Sequence, residues 1–181
     1  LTGFNFSDRV KYQSLQDLHW NTFGAGANFV LVPGNSNFVM DGVFSYSDYK
    51  INLDQQTLPS RSSEIKGFNL ALNFKYFFGK NDLLWGVEAI GLNTNYTFFN
   101  ELNRKIEQDV NNTELALYAK YHFTVGKLVA EPSFRLHYYA SLGEASPEPR
   151  LGLKYNVTDN FRLKFASGLY SQNLIAGVSD R

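Results

Sequence analysis

The sequence contains no cysteine, which excludes a disulfide scaffold, a cysteine-bound zinc site and a thiol nucleophile. It also lacks net charge, because 17 Lys and Arg balance 17 Asp and Glu. Nucleic acid as a partner calls for a basic stripe that this balance does not supply, and an acidic disordered tail is absent too. No run approaches the roughly eighteen unbroken apolar residues of a membrane-crossing helix. Yet 44% of the residues are hydrophobic, with 16 Phe and 11 Tyr among 181. The apolar surface is large and is dealt out in small, regular doses.

Those doses recur with period two, the period of a strand. From Leu115 to Val125 the odd positions are Leu, Leu, Ala, Tyr, Phe and Val, while the even ones include Glu114, Lys120 and His122. From Leu128 to Leu142 the parity reverses: Leu128, Ala130, Phe134, Leu136 and Tyr138 alternate with Glu131, Arg135 and His137. Opposed residues of an antiparallel pair share a face. A two-residue turn at Gly126-Lys127 therefore sets Val125 against Leu128, Leu117 against Leu136, Tyr118 against Arg135 and His122 against Glu131. Three more hairpins follow from the same logic, with turns at Pro33-Gly34-Asn35-Ser36, Gly79-Lys80-Asn81-Asp82 and Thr158-Asp159-Asn160. Two positions resist the pattern. Pro132 removes a ladder donor and predicts a bulge or local distortion. Ile90 and Leu92 switch faces relative to Trp85 and Val87, which predicts a bulge near Gly91.

Nine strands are expected, at 3–12, 19–32, 37–51, 64–78, 83–98, 113–125, 128–142, 149–157 and 161–171. Several exceed the five or six residues of an ordinary soluble strand and suit a tilted bilayer crossing. Short turns alternate with longer polar connections at 52–63, 99–112 and 143–148, the last bounded by proline and the second slightly helical in pattern. Aromatic residues flank the apolar faces at Phe68, Tyr76, Phe78, Trp85, Tyr121, Phe123, Phe134 and Tyr138. The expected fold is all-β, an antiparallel transmembrane β-barrel of the outer-membrane kind. A soluble lipid-binding barrel shares period two and is the competing architecture.

No catalytic constellation emerges, so the chain does not read as an enzyme. His122 and His137 are too far apart along their hairpin to share a metal. Gly24-Ala25-Gly26 lies within a strand and opens no helix, so it is not a phosphate loop. The polar residues that matter are those facing inward: Lys75, Glu88, Glu114, Lys120, His122, Glu131, Arg135, His137, Arg150, Lys154, Arg162 and Lys164. Six of them, Glu114, His122, Glu131, Arg135, His137 and Arg150, are candidates to contact a plug or a solute. No metal and no cofactor is assigned.

Three stretches carry a resemblance. They are Gly3-Phe4-Asn5-Phe6-Ser7-Asp8-Arg9, Glu148-Pro149-Arg150-Leu151-Gly152-Leu153-Lys154-Tyr155, and the run from Phe161 through Gly168-Leu169-Tyr170-Ser171-Gln172 to Leu174. Together they resemble the barrel of TonB-dependent outer-membrane receptors of the Bacteroidota type. The resemblance implies a barrel of about 22 strands, of which residues 1–181 are one section, with the plug domain and the closing strands absent. It implies active uptake of a nutrient such as an iron chelate, cobalamin, a peptide or a glycan across the bacterial outer membrane. The implied partners are outer-membrane lipid, the plug of the same protein, TonB acting through that plug, and a SusD-like surface lipoprotein. A small self-contained outer-membrane barrel with an adhesin or structural role is the alternative.

Overall fold

A computed structural model of the chain describes residues 1–11, 16–34, 36–55, 59–100 and 102–172. Among them lie nine strands, β1 (Thr2–Lys11), β2 (Gln16–Leu31), β3 (Phe38–Gln55), β4 (Arg61–Phe78), β5 (Asn81–Phe99), β6 (Lys105–Val125), β7 (Leu128–Tyr139), β8 (Glu144–Asn156) and β9 (Arg162–Gly168). They form one antiparallel meander in chain order. The expected end of the first strand at Tyr12, the turn residue Asn35, the loop residues Leu58 and Glu101, and Asn173 and Leu174 of the quoted motif lie outside the described residues.

The predicted hairpins pair as their apolar faces require. Val125 opposes Leu128, Leu117 opposes Leu136 and Tyr118 opposes Arg135. Ala27 opposes Phe44, and Leu153 opposes Phe165. The β4–β5 turn is tighter than expected. Phe78 opposes Asn81, so Gly79-Lys80 alone makes the turn and Asp82 joins the strand. Gly79 and Gly126 open the two tight turns with φ of 64° and 58°, the positive value that a glycine takes at the first central position of a hairpin turn.

Neither expected irregularity is a bulge. β4 and β5 keep one register from Ser62↔Thr97 to Phe78↔Asn81, with Phe68↔Gly91 inside it. Around Pro132 the ladder to β6 skips the Tyr121 and His122 positions and resumes in the same register at Phe123↔Ala130. The missing N–H thus interrupts pairing on the β6 side without shifting it.

The longer polar connections are corrected most. β5 runs to Phe99 and β6 starts at Lys105, so most of 99–112 is strand. Its alternation of Ile106, Gln108 and Val110 with Glu107, Asp109 and Asn111 is period two, opposed by Phe98, Tyr96 and Thr94 and by Thr97, Asn95 and Asn93. Asn100 closes the short connection by accepting the Leu102 and Arg104 amides on its Oδ1, 3.0 Å from each. Likewise β8 begins at Glu144 and carries Pro147 and Pro149 in the strand. Strands that project, rather than loops, distinguish this end of the sheet.

Register assigns the two faces. One carries Phe23, Phe29, Phe44, Phe68, Leu70, Leu115, Leu117, Phe134, Leu136, Leu151, Tyr155, Leu163 and Phe165, all exposed. In β7 the apolar Phe134, Leu136 and Tyr138 are exposed, whereas Ser133, Arg135 and His137 between them are half-buried. The apolar face is thus the outer face, and among the described residues only Ala116, Ala130 and Tyr139 are buried hydrophobics. A soluble barrel would show the reverse arrangement, with the apolar side chains packed inside. At the short-turn end the outer face gathers aromatics: Phe74 stacks on Trp85 with centroids 4.2 Å apart, and Phe38 meets Tyr76 at 4.7 Å. At the projecting end of β2–β6 the faces exchange character. Asp17, Asn21, Lys50, Glu64, Asn95 and Asp109 are now outside, and Trp20, Ile51, Ile65, Tyr96 and Val110 are inside. This exchange, on an unbroken strand, is why Ile90 and Leu92 switch sides.

Candidate functional site: the charged inner wall

The six candidate side chains, Glu114, His122, Glu131, Arg135, His137 and Arg150, share the inner face of β6, β7 and β8. They form pairs rather than one cluster. His122 Nδ1 lies 2.8 Å from Glu131 Oε1. Arg135 donates to Glu88 on β5 at 2.8 Å. His137 Nε2 lies 3.1 Å from Glu114 Oε2, and Arg150 donates to Glu148 at 2.5 Å. The expected His122–Glu131 neighbourhood is present despite the ladder gap at Pro132. Arg135 uses its cross-strand neighbour Tyr118 as a platform, 5.7 Å above the ring centroid, while its charge goes to Glu88. Among the described residues no group of three His, Asp and Glu comes together as metal ligands would.

Two networks extend beyond the expected residues. Tyr118 reaches across β5 to donate to Asn73 Oδ1 at 2.5 Å, and Asn73 donates to Asp41 at 2.8 Å. The reach is possible because Gly86 sits beneath the Tyr118 ring: a Cβ there would fall 2.7 Å from the Tyr118 hydroxyl and 2.6 Å from the Leu72 carbonyl. Asp41, Asn73, Tyr118, Arg135 and Glu88 thus link β3 through β7 at one level.

The second network centres on Glu148, the most buried charge of the described residues at 2% exposure. Besides Arg150, its carboxylate accepts the Ser171 amide at 2.9 Å and the Ser171 hydroxyl at 2.5 Å. The Ser171 hydroxyl also meets the Tyr139 hydroxyl at 3.0 Å, and Arg150 lies 4.4 Å from the Tyr170 ring centroid. After Leu169 bonds back to Pro149, the chain therefore leaves the ladder and folds onto the inner face of β8 and β7. The sequence reading missed Glu148 because 143–148 looked like a loop. Continuing the even parity from Arg150 to Glu148 and Ser146 would have found it.

No protein-family model matches the sequence, and no characterised protein matches it at the level of sequence. Solved structures do match. The outer membrane transporter YddB from Escherichia coli aligns with a TM-score of 0.62 at 8% identity over 83% of this chain and 26% of that one. The RagAB peptide transporter aligns with a TM-score of 0.67 at 13% identity over 85% and 23%. The ferric citrate transporter FecA aligns with a TM-score of 0.51 at 15% identity over 85% and 28%. The chain spans about a quarter of the length of each. At these identities the likeness is one of fold: the chain folds as the antiparallel transmembrane barrel of outer-membrane transporters does.

Proposed function

We propose that these residues form part of the wall of a TonB-dependent uptake receptor in the bacterial outer membrane. The observation that carries the reading is a sheet with an exposed apolar outer face, a charged inner face and two free edges. β1 and β9 each pair with one neighbour and not with each other among the described residues. Within hydrocarbon an open edge leaves backbone donors and acceptors unpaired at several kcal/mol each, so both edges require further strands. A barrel of about 22 strands closed by a plug supplies them and explains why the chain matches about a quarter of each neighbour. In this reading the projecting ends of β2–β6 stand outside the cell, the paired charges line a wet lumen, and the transported nutrient is an iron chelate, cobalamin, a peptide or a glycan. The plug of the same polypeptide would contact Glu114, His122, Glu131, Arg135, His137 and Arg150, TonB would act through that plug, and a SusD-like lipoprotein would cover the outer mouth.

The test is the mass of the intact polypeptide extracted by detergent from the outer-membrane fraction. A mass several times 20.6 kDa is expected. A mass near that value would overturn the receptor reading in favour of a small closed barrel, and recovery in the soluble fraction would overturn both.

A further inference from the structure

The inner wall sorts its charges into two zones. In the first, acids and bases meet: Arg135 with Glu88, His137 with Glu114, and Arg150 with Glu148. In the second, nearer the short turns, Lys154, Arg162 and Lys164 project from β8 and β9, and none of them forms an ion pair among the described residues. Of the inner carboxylates nearest them, Glu131 is engaged by His122 and Asp82 by Lys75. Lys154 and Lys164 are moreover direct partners in the β8–β9 ladder. Like charges directly opposite one another are destabilising, and nothing in the hairpin relieves the repulsion. The next inner pair is Gly152↔Ala166, which leaves almost no side chain beside the two ammonium groups. A cavity of about 590 Å³ opens there, lined by His122, Glu131, Gly152, Lys154, Lys164 and Ala166.

Edge protection does not account for this arrangement. Lysine commonly guards a sheet edge, but β8 lies inside the sheet, and the outer face of the same hairpin is apolar at Leu153, Tyr155, Leu163 and Phe165. The positive charge is directed inward only.

We propose that this cluster is an oxyanion site on the inner wall, taking a carboxylate- or phosphate-bearing group between Lys154 and Lys164, with Arg162 adding positive potential. Ammonium groups donate charge-assisted hydrogen bonds to such oxygens, and rings of lysine and arginine select anions in barrel lumens. The inference rests on the reading of this face as a lumen wall. The oxyanion has two sources, a free solute or the acidic side chains of a segment packed inside the barrel.

The intact polypeptide in detergent micelles distinguishes them. A water-soluble acylating reagent is applied with and without inorganic phosphate, and modified lysines are read by mass spectrometry. In parallel, a carbodiimide joins lysines to carboxylates in direct contact. Protection of Lys154 and Lys164 by phosphate, with the exposed turn residue Lys80 unaffected, establishes a site for free oxyanions. An amide link from either lysine to an Asp or Glu elsewhere in the polypeptide establishes an acidic segment as occupant. In the first case Lys154→Gln with Lys164→Gln lowers phosphate affinity about tenfold and leaves micelle insertion intact, since it removes a repulsion. If both lysines acylate like Lys80 with or without phosphate, and no link forms, the site is overturned. Unprotected, unlinked lysines in a protein that does partition to the outer membrane would sink the site alone. Failure to partition there would sink the lumen reading by a separate measurement.

Discussion

Leu117→Lys puts the membrane reading at risk most directly. Leu117 is the second residue of the outer apolar stripe of β6, opposed by Val87 and Leu136, and 52% exposed. The stripe from Leu115 to Val125 spans ten residue steps, about 34 Å of strand at about 3.4 Å per residue. A tilt of about 40° reduces that to about 26 Å, close to the apolar band of about 25 Å expected of an outer-membrane barrel. Leu117 then lies about 5 Å inside the band, between the interface, where a lysine costs about 0–1 kcal/mol, and the midplane, where it costs about 2–4 kcal/mol. On a water-exposed surface the same change stays within about 0.5 kcal/mol. The contrast is Ser133→Lys on the inner face, half-buried between Lys120 and Arg150, which alters charge without entering lipid. The assay is reversible unfolding of the intact polypeptide in lipid vesicles, read by tryptophan fluorescence. Leu117→Lys is expected to lose about 2 kcal/mol and Ser133→Lys less than about 1 kcal/mol. Equal effects, or a neutral Leu117→Lys, would refute the assignment of the outer face to lipid.

Three further predictions follow from particular contacts. Glu148→Ala strands Arg150 and frees both Ser171 donors, so it should cost about 3 kcal/mol and strip hydrogen-exchange protection from the Ser171 amide, with Glu148→Gln milder; unchanged Ser171 protection would refute the tether. Gly86→Ala must displace Tyr118 from Asn73 and meets the Leu72 carbonyl, which does not yield, so a loss of about 2 kcal/mol is expected; Gly34→Ala, with open space around it, should be neutral in the same unfolding assay. Asp17, on the projecting β1–β2 hairpin, is held below the ordinary carboxylate range by its hydrogen bond from Arg9. Its folded value is depressed, so its contribution is present above the unfolded carboxylate value and is lost as pH falls through the folded one. Amide protection near Arg9 should therefore fall in the acid range, and Asp17→Asn should abolish that pH dependence.

Hairpin registers were legible because two constraints coincide. Parity says which faces can meet, and turn residues such as Gly126 say where. Together they place Leu117 against Leu136, since a one-residue slip would send every apolar side chain to the wrong face; a two-residue slip keeps the faces, and the β2–β3 and β4–β5 registers differ from expectation by that amount. The inner pairs were only half legible. His122–Glu131 follows from opposition in one hairpin, whereas Arg135–Glu88 and Tyr118–Asn73 join strands that are not consecutive. Nothing local in the sequence announces that Gly86 clears the path for Tyr118.

The projecting ends were misread for a different physical reason, and the misreading locates the membrane boundary. Period-two reasoning assumes that the apolar parity of a strand is constant, which holds only while the environment on each side is constant. Along β5 the outer residues run Leu83, Trp85, Val87, Ala89 and then Asn93, Asn95, Thr97, while the inner ones run Asp82, Leu84, Glu88 and then Ile90, Leu92, Tyr96, Phe98. A bulge would exchange the faces by shifting the register, but the register does not shift. What changes is the solvent outside the strand, from hydrocarbon to water, between Ala89 and Asn93. The same step recurs between Phe68 and Lys66 on β4, between Tyr46 and Asp48 on β3 and between Leu115 and Asn111 on β6. Four adjacent strands changing outer polarity within two to four residues of one paired row is what a single boundary crossing the sheet produces. A set of independent bulges would have no reason to line up.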